Sequence, residues 1–340
     1  MSTFKIKFDE QNFDYDCDGG DTLLRGALRS GLGFPYECNS GGCGSCKFEL
    51  VSGEVEELWP EAPGRTRRDI KKGKLLGCQC RPKTDCVIKA NLEHHSVPDQ
   101  KPERMEISYL ERDDLTSDLS EFHFKSEGPA HFIPGQYALF TLPGVTGDRG
   151  YSMSNLPNNR NEWSFIVKNM PGGTATDYLF DRLQVGDKFI MDAPYGLAFL
   201  KPEIPRDIVC IAGGSGLSPV MSIVRAVAAD PRLKDRKVHM FYGGRGPKDI
   251  CTPDLVGEIE GIEYKLTCYN ATSDKEMSDA EGWDGDCCFI HELVEQKLAK
   301  RMTEFEYYFC GPPPMTDAVQ RMLMLDHKVP FDQIHFDRFF

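Results

Sequence analysis

Cys38, Cys43 and Cys46 lie in the stretch CNSGGCGSC, with Gly41, Gly42 and Gly44 between them. Their C-x4-C-x2-C pattern is a spacing that ligates a [2Fe–2S] cluster when a fourth cysteine follows further along the chain. The glycines have a physical role in such a site. A cluster carries net negative charge, and a loop without side chains can turn its backbone N–H groups toward the sulfurs. The fourth thiolate must come from Cys78, Cys80 or Cys86. Cys78 is expected, because the apolar pair Leu75–Leu76 just before it holds it in the core; Cys80 is the alternative. Zinc also takes four thiolates, and Cys43, Cys46, Cys78 and Cys80 could supply them. That reading leaves Cys38 and the glycines without a role. Covalent haem attachment fails because Lys47 stands where C-x-x-C-H needs histidine. Cys17, Cys86, Cys210, Cys251, Cys268, Cys287 and Cys288 read as ordinary small side chains.

Four further motifs suggest nucleotide chemistry. Arg149, Tyr151 and Ser152 combine a cation, an aromatic face and a hydroxyl, a set able to grip a flavin's pyrophosphate, ring and ring edge. Downstream, PGGTAT places Gly173 and Thr176 in a small-residue turn before a helical run, where backbone amides attract phosphate. Gly213, Gly214, Gly216 and Pro219 lie in GGSGLSP between an apolar strand and a helix, a geometry that lets backbone approach a nucleotide. This is not the G-x-G-x-x-G fingerprint. Cys310, Gly311 and Pro312, in CGPPPM, follow another strand and point to the same sheet edge. Each motif alone is a common turn; their order along the chain is what makes them informative.

The elements that must position these residues fall into three patterns. In the first, FKIKFDEQNFDYDC alternates as a β-hairpin, Asp21 caps a helical run ending at Gly31, and FELVSGEVEEL and DCVIKANL read as strands. HHSVPDQKPERM is a polar, proline-bearing linker. Next come MEISYLE, EFHFKSE, QYALFTL, EWSFIVKN and DKFIMDA, short strands with regular turns, as in an antiparallel barrel. Then strands alternate with helices: DIVCIAGG, PVMSIVRAVAAD, VHMFYGG, IEYKLTCY, EYYFCG. That alternation predicts a doubly wound parallel sheet. The expected boundaries are 1–97, a linker over 98–104, then 105–203 and 204–340.

Composition narrows the context. The chain has 340 residues, 40 % of them hydrophobic and 27 % charged, and 53 acids against 40 bases give a net charge of −13. Such a balance argues against nucleic acid and anionic membranes as partners. No apolar run opens the chain, and the longest uncharged stretch, IVCIAGGSGLSPVMSIV, is broken by glycine and proline. A cytoplasmic location is therefore expected, where thirteen cysteines suit metal or redox use better than disulfides.

Taken in order, these motifs resemble one family across nearly the whole chain. PYECNSGGCGSCK, LLGCQC, APYGL, IAGGSGLSP and the ending KVPFDQIHFDRFF look like the reductase components of bacterial toluene and alkene monooxygenases. In that family a plant-type ferredoxin domain is fused to a ferredoxin–NADP reductase-like module. The resemblance implies a multidomain α+β and α/β protein. Its parts would be an N-terminal β-grasp ferredoxin domain, a central Greek-key β-barrel for FAD, and a C-terminal doubly wound NAD domain. It implies Cys38, Cys43 and Cys46 as cluster ligands, with Cys78 the expected fourth and Cys80 the alternative. Arg149, Tyr151 and Ser152 would bind FAD, with Ser152 near the reactive nitrogen, and Gly173 and Thr176 would hold its pyrophosphate. Gly213, Gly214, Gly216, Pro219, Gly311 and Pro312 would cradle the nicotinamide nucleotide, with Cys310 beside the nicotinamide. A C-terminal aromatic residue covers the flavin in this family, and that role falls on Phe340.

The resemblance also implies a reaction. NADH delivers two electrons as hydride and a [2Fe–2S] cluster accepts one at a time, so FAD must stand between them. The expected acceptor is a Rieske-type ferredoxin or a di-iron hydroxylase, with the reductase monomeric. A reductase of an aromatic-ring dioxygenase shares most of these motifs. A scaffold with a four-cysteine zinc site is the non-redox alternative. NADH is expected over NADPH: NATSDKEMSDAE, after YKLTCY, carries acids and no arginine, with Lys275 as the one cation.

Overall fold

The computed structural model describes residues 2–337. Phe340 lies outside the described residues. Three sheets follow one another along the chain, each built by a different periodicity.

The first unit holds β1 (Thr3–Phe8), β2 (Asp14–Asp18), α1 (Leu23–Arg29), β3 (Lys47–Ser52), β4 (Val55–Glu57), α2 (Arg67–Lys71), β5 (Lys74–Leu76), β6 (Cys80–Pro82) and β7 (Cys86–Lys89). Its main sheet runs β2-β1-β7-β3-β5, and β4 pairs with β6 at the side. β1 and β7 are parallel neighbours and the other pairings within this sheet are antiparallel, so β7, the last strand of the unit in sequence, lies at its centre. This is a β-grasp sheet over one helix. Leu23, Leu24, Ala27 and Leu28 of α1 are wholly buried against it. Gly26 lets the helix approach β2 closely, because a Cβ there would stand 2.7 Å from Cys17 Sγ. The helix cap differs from expectation. Thr22, not Asp21, is the N-cap and its side chain accepts from Arg25 N. Asp21 is instead drawn into ion pairs with Arg29 and Arg104.

The second unit is an antiparallel barrel of β8 (Glu103–Asp114), β9 (Leu119–Ser126), β10 (Tyr137–Thr141), β11 (Arg149–Ser152), β12 (Glu162–Lys168) and β13 (Lys188–Tyr195), with α3 (Thr174–Asp177). The order is β11-β10-β13-β8-β9-β12. Just past β11, Ser154 N donates to Ser164 O in β12 at 2.8 Å, drawing the two edges together. Alternate positions fill the interior with Phe122, Phe124, Phe140, Phe165 and Trp163, all essentially buried. Arg149–Ser152 forms one of the two edge strands of this sheet.

The third unit is wholly parallel: β14 (Asp207–Gly213), α4 (Leu217–Ala229), β15 (Val238–Gly244), α5 (Thr252–Gly257), β16 (Leu266–Thr272), α6 (Lys275–Ala280), β17 (Asp286–Cys287), α7 (Ile290–Leu298), β18 (Phe305–Cys310), α8 (Pro313–Arg321) and β19 (Ile334–Asp337). In β14, Ile208, Cys210 and Ala212 pack with α4, while Val209 and Ile211 pack with Leu293 and Val294 of α7 on the opposite face. Both faces are covered, which explains the unbroken apolar run. The sheet order β17-β16-β15-β14-β18-β19 reverses direction between β14 and β18. β16 begins four residues later than the expected IEYKLTCY start, carrying the strand through Asn270, Ala271 and Thr272. Among the described residues, no helix is long and apolar enough to cross a membrane.

The first unit is fastened to the barrel by charge. Arg29 Nη1 donates to Asp192 Oδ1 at 2.9 Å and Arg29 Nε to Asp21 Oδ2 at 2.7 Å; Arg104 Nη2 reaches Asp21 Oδ1 at 2.8 Å. Both carboxylates are buried. Removing one partner of a buried pair strands the other charge. Arg29→Ala is therefore expected to destabilise the protein by about 3 kcal/mol in denaturant unfolding. A loss no larger than the roughly 0.5 kcal/mol of an exposed pair would refute this role.

Candidate functional site

The sequence-marked residues gather around two turns and one loop. In the loop, Asn39, Gly41 and Gly44 adopt left-handed backbone (φ 51°, 93° and 78°), and a Cβ at Gly44 would collide with Gly64 O. The resulting curl points amides at sulfur. Ser40 N and Cys43 N donate to Cys38 Sγ at 3.5 and 3.3 Å, and Ser45 N donates to Cys43 Sγ at 3.4 Å. The neighbouring Cys43 thiol, then these amides, lower the Cys38 thiol to about 5 against the upward push of burial.

Two thiol pairs result. Cys38 Sγ lies 3.3 Å from Cys43 Sγ, and Cys46 Sγ lies 3.3 Å from Cys78 Sγ. The turn after β5 brings Cys78 in, with Gly77 N donating to Cys46 O at 2.8 Å. Cys80 belongs to neither pair; it is buried in β6, and burial followed by the charge of Glu57 raises its thiol to about 12. Among the described residues no group of three or more ligating side chains surrounds a single metal position. Two pairs suit two irons sharing one cluster, each with two thiolates, better than one tetrahedral zinc. All thirteen cysteines are free of disulfides.

A cleft of about 460 Å³ opens beside β11 and β12, lined by Arg149, Tyr151, Ser152, Gly173 and Thr176. The five flavin-type residues therefore share one cavity. Ser152 Oγ is buried and has no hydrogen-bond partner among the described residues, as expected of a hydroxyl that a ligand completes. Thr176 supports the turn from below: its Oγ1 lies 3.0 Å from Gly173 O and accepts from Met170 N at 3.2 Å. Lys168 and Ser215 also line the cleft and were not singled out from the sequence. A lone lysine at a strand end carries no local signal.

At the reversal in the third sheet, the turns GGSGLSP and CGPPPM press together. A Cβ at Gly216 would collide with Cys310 O, and one at Gly213 would stand 2.8 Å from Met315 Sδ and 3.4 Å from Pro312 Cδ. Open α/β sheets bind ligands at this reversal, outside the carboxyl ends of the strands. Pro219 and Cys310 line one small crevice there with Asp337. The first turn of α4 joins this crevice to the cleft: Ser218 Oγ donates to Ser152 O at 2.6 Å and accepts from Ile166 N at 3.0 Å. Gly214 and Gly311 lie in the same two turns.

The cysteine loop reaches the cleft through side chains the motifs did not reveal. Tyr137, opposite Ser152 in the β10–β11 register, donates its hydroxyl to Glu37 O, next to Cys38, at 2.7 Å. Arg25 is buried in α1, with Nε donating to Asn39 Oδ1 at 3.3 Å and Nη1 paired with Asp148, the residue before Arg149. Asp337, across from Cys310 in the β18–β19 register, is buried, and its carboxyl is pushed up to about 8 by burial, then by the charges of Glu37 and Cys38.

Comparison with known proteins matches this layout part by part. The 2Fe-2S iron-sulfur cluster binding domain matches residues 6–83, the oxidoreductase FAD-binding domain 107–199 and the oxidoreductase NAD-binding domain 210–321. The ferredoxin–NAD(P)(+) reductase CarAd of Metapseudomonas resinovorans is 43% identical over 95% of this chain and 96% of its own length. The chain belongs to the iron–sulfur flavoprotein reductases of bacterial oxygenase systems. Another relative is the ferredoxin–NAD(+) reductase component of the alkene monooxygenase system of Xanthobacter autotrophicus, 33% identical over 96% of this chain and 97% of its own length. A solved ferredoxin reductase in carbazole 1,9a-dioxygenase superposes with a TM-score of 0.90 at 38% identity, covering 100% of this chain and 99% of that one. As a member of this reductase family, the protein carries a [2Fe–2S] cluster and FAD and uses NADH.

The Arg25 bridge gives this reductase an expected phenotype. In Arg25→Met, NADH should still bleach the flavin near the parent rate. Reduction of the cluster should slow by about tenfold or more, as small misplacements cost reaction geometry dearly. Stopped-flow absorbance separates the phases, and unchanged rates for both would exclude a positioning role.

Proposed function

We propose that this reductase passes electrons from NADH to a separate Rieske-type ferredoxin that serves a toluene- or alkene-type monooxygenase, working as a cytoplasmic monomer. The observation that carries the reading is the convergence at Ser152. Its carbonyl holds α4 of the nucleotide sheet, its hydroxyl is left open to the cleft, and its register partner Tyr137 touches the cysteine loop. The names of the alkene monooxygenase component and of CarAd both specify a ferredoxin, which favours a carrier over direct transfer to a hydroxylase. A dioxygenase system is the second reading, favoured by the carbazole 1,9a-dioxygenase relative.

Hydride brings two electrons together and the cluster passes one at a time; the flavin supplies that conversion. Around it, the chain's own residues hold and orient. Arg149 and the amides of the Gly173 turn would face the pyrophosphate, Tyr151 the ring system, and Ser152 Oγ the ring edge. Thr176 keeps the Gly173 turn in shape. Gly213, Gly214, Gly216 and Pro219 leave backbone and space for the nicotinamide nucleotide, with Cys310, Gly311 and Pro312 forming the opposing wall. Cys38, Cys43, Cys46 and Cys78 would hold the cluster in two pairs, and the inward amides would share its negative charge.

Reconstitution with purified Rieske-type ferredoxin and with purified di-iron hydroxylase decides the acceptor: rapid reduction of the hydroxylase alone would overturn the carrier reading. For the ligands, Cys78→Ser is expected to lose iron, sulfide and cluster absorbance while Cys80→Ser keeps them; the reverse result would exchange their roles. Donor choice follows from charge. Asp274 caps α6 just beyond β16, and Arg245, the nearby guanidinium, is already engaged by Asp249 and Asp118. Arg245 therefore presents no free bidentate face to a 2′-phosphate. NADH should exceed NADPH in kcat/KM by at least about tenfold, roughly the worth of one strong charged hydrogen bond; equal values would sink this prediction.

A further inference from the structure

The segment from Leu58 to Thr66 lies against the cysteine loop. Gly64 N donates to Gly41 O at 2.9 Å, and a Cβ at Gly41 would stand 3.2 Å from the Trp59 ring. This segment leads directly into α2, which is tied to the residue after Cys46 by the Lys47–Asp69 pair at 2.9 Å. Trp59 is 45% exposed and Ile70 is 51% exposed. Arg67, Arg68, Lys71 and Lys72 are exposed and form no ion pair among the described residues. The neighbouring Arg65 is already satisfied by Glu57, leaving Glu61 as the free carboxylate of the segment.

Four cations without an ion pair among the described residues share the segment 59–72 with two exposed apolar side chains, in a chain of net charge −13. We propose that Trp59, Ile70 and the basic face of α2 form the docking surface for an acidic electron-carrier protein. This deepens the functional reading above and rests on it. Charge complementarity selects the occupant. An acidic carrier is repelled by the net charge of the chain and drawn to these cations, which would concentrate encounters beside the cysteine loop. Trp59 and Ile70 then supply apolar surface that docking would desolvate, tryptophan being among the side chains enriched where binding energy concentrates. Phosphate-rich partners are disfavoured by the overall charge.

Cytochrome b5, an acidic haem protein, and cytochrome c, a basic one, serve as paired probes of the holoenzyme, with ferricyanide as the small-molecule control. Parent kcat/KM for cytochrome b5 should fall steeply as salt rises. Reversal of the four cations (Arg67→Glu, Arg68→Glu, Lys71→Glu, Lys72→Glu) should raise KM for cytochrome b5 at least about tenfold, flatten its salt dependence and favour cytochrome c. Trp59→Ala should raise KM for cytochrome b5 about fivefold with kcat for ferricyanide unchanged. Should the fourfold reversal not fold, the Arg67→Glu, Arg68→Glu pair alone must still move KM and salt slope in the same direction. Unchanged KM and salt slope with intact ferricyanide turnover would overturn the docking surface and leave the reductase reading standing. A flavin that NADH cannot bleach even in the parent would overturn the reductase reading itself.

Discussion

The structure depends most on the charged and hydrogen-bonded seam between the cysteine-bearing unit and the barrel. Two of its guanidinium groups, on Arg25 and Arg29 one helical turn apart in α1, face carboxylates of the barrel. Isolated buried charges are costly, so this seam is stable only when both sides are present and in register. Its geometric consequence is large. The Tyr137 hydroxyl and the Arg25 guanidinium attach the loop around Cys38 to both ends of β11, the strand that carries Arg149, Tyr151 and Ser152. Loop and cleft are therefore tied at both ends of one strand.

On the opposite side, α4 serves both the barrel and the nucleotide sheet. Ser218 holds Ser152 O, Ser222 donates to Asn155 O at 2.7 Å, and Arg225 reaches Glu121 and Ser154 O. Although burial opposes ionisation of Glu121, Arg225 holds its carboxyl below the usual range. The glycines before α4 are needed because the GGSGLSP turn must pass under the Cys310 carbonyl with no side chain between. A helix start rich in small hydroxyls thus acts as a joint between two units, beside the turn proposed for the nucleotide.

Much of this was legible in the sequence where a local rule applied. Cysteine spacing, glycine placement and the switch from alternating to continuous apolar runs each report a short-range constraint, and each led to the right sheet. Errors arose where tertiary pairing overrode local preference. Asp21 looks like a helix cap, but two arginines claim it and Thr22 takes the role. Asn270, Ala271 and Thr272 have weak strand character, yet pairing with Tyr242, Gly243 and Gly244 extends β16 through them. Arg149–Ser152 is too short and polar to read as a strand until β10 supplies its partner. Arg25 and Asp148 are 123 positions apart, and no spacing rule connects them.

The two hops of the proposed route, from cleft to loop and from loop to a carrier, would place opposite demands on the protein. Transfer between cleft and loop occurs in every turnover between the same groups, so a fixed, fully paired seam carries no penalty and removes the search for orientation. Transfer to a separate carrier must end in release, so tight burial there would slow turnover. The distribution of charge follows this division. At the seam, Arg25, Arg29 and Arg104 are matched by Asp21, Asp148 and Asp192; Arg25, Asp21 and Asp192 are buried, Arg29 is half-buried and Arg104 sits at the exposed rim. At α2, the cations are left unmatched and wet, where each contributes little binding energy but together they steer an approaching partner. Salt should therefore act on the second hop while leaving the first nearly untouched, because screening weakens exposed charges far more than buried pairs.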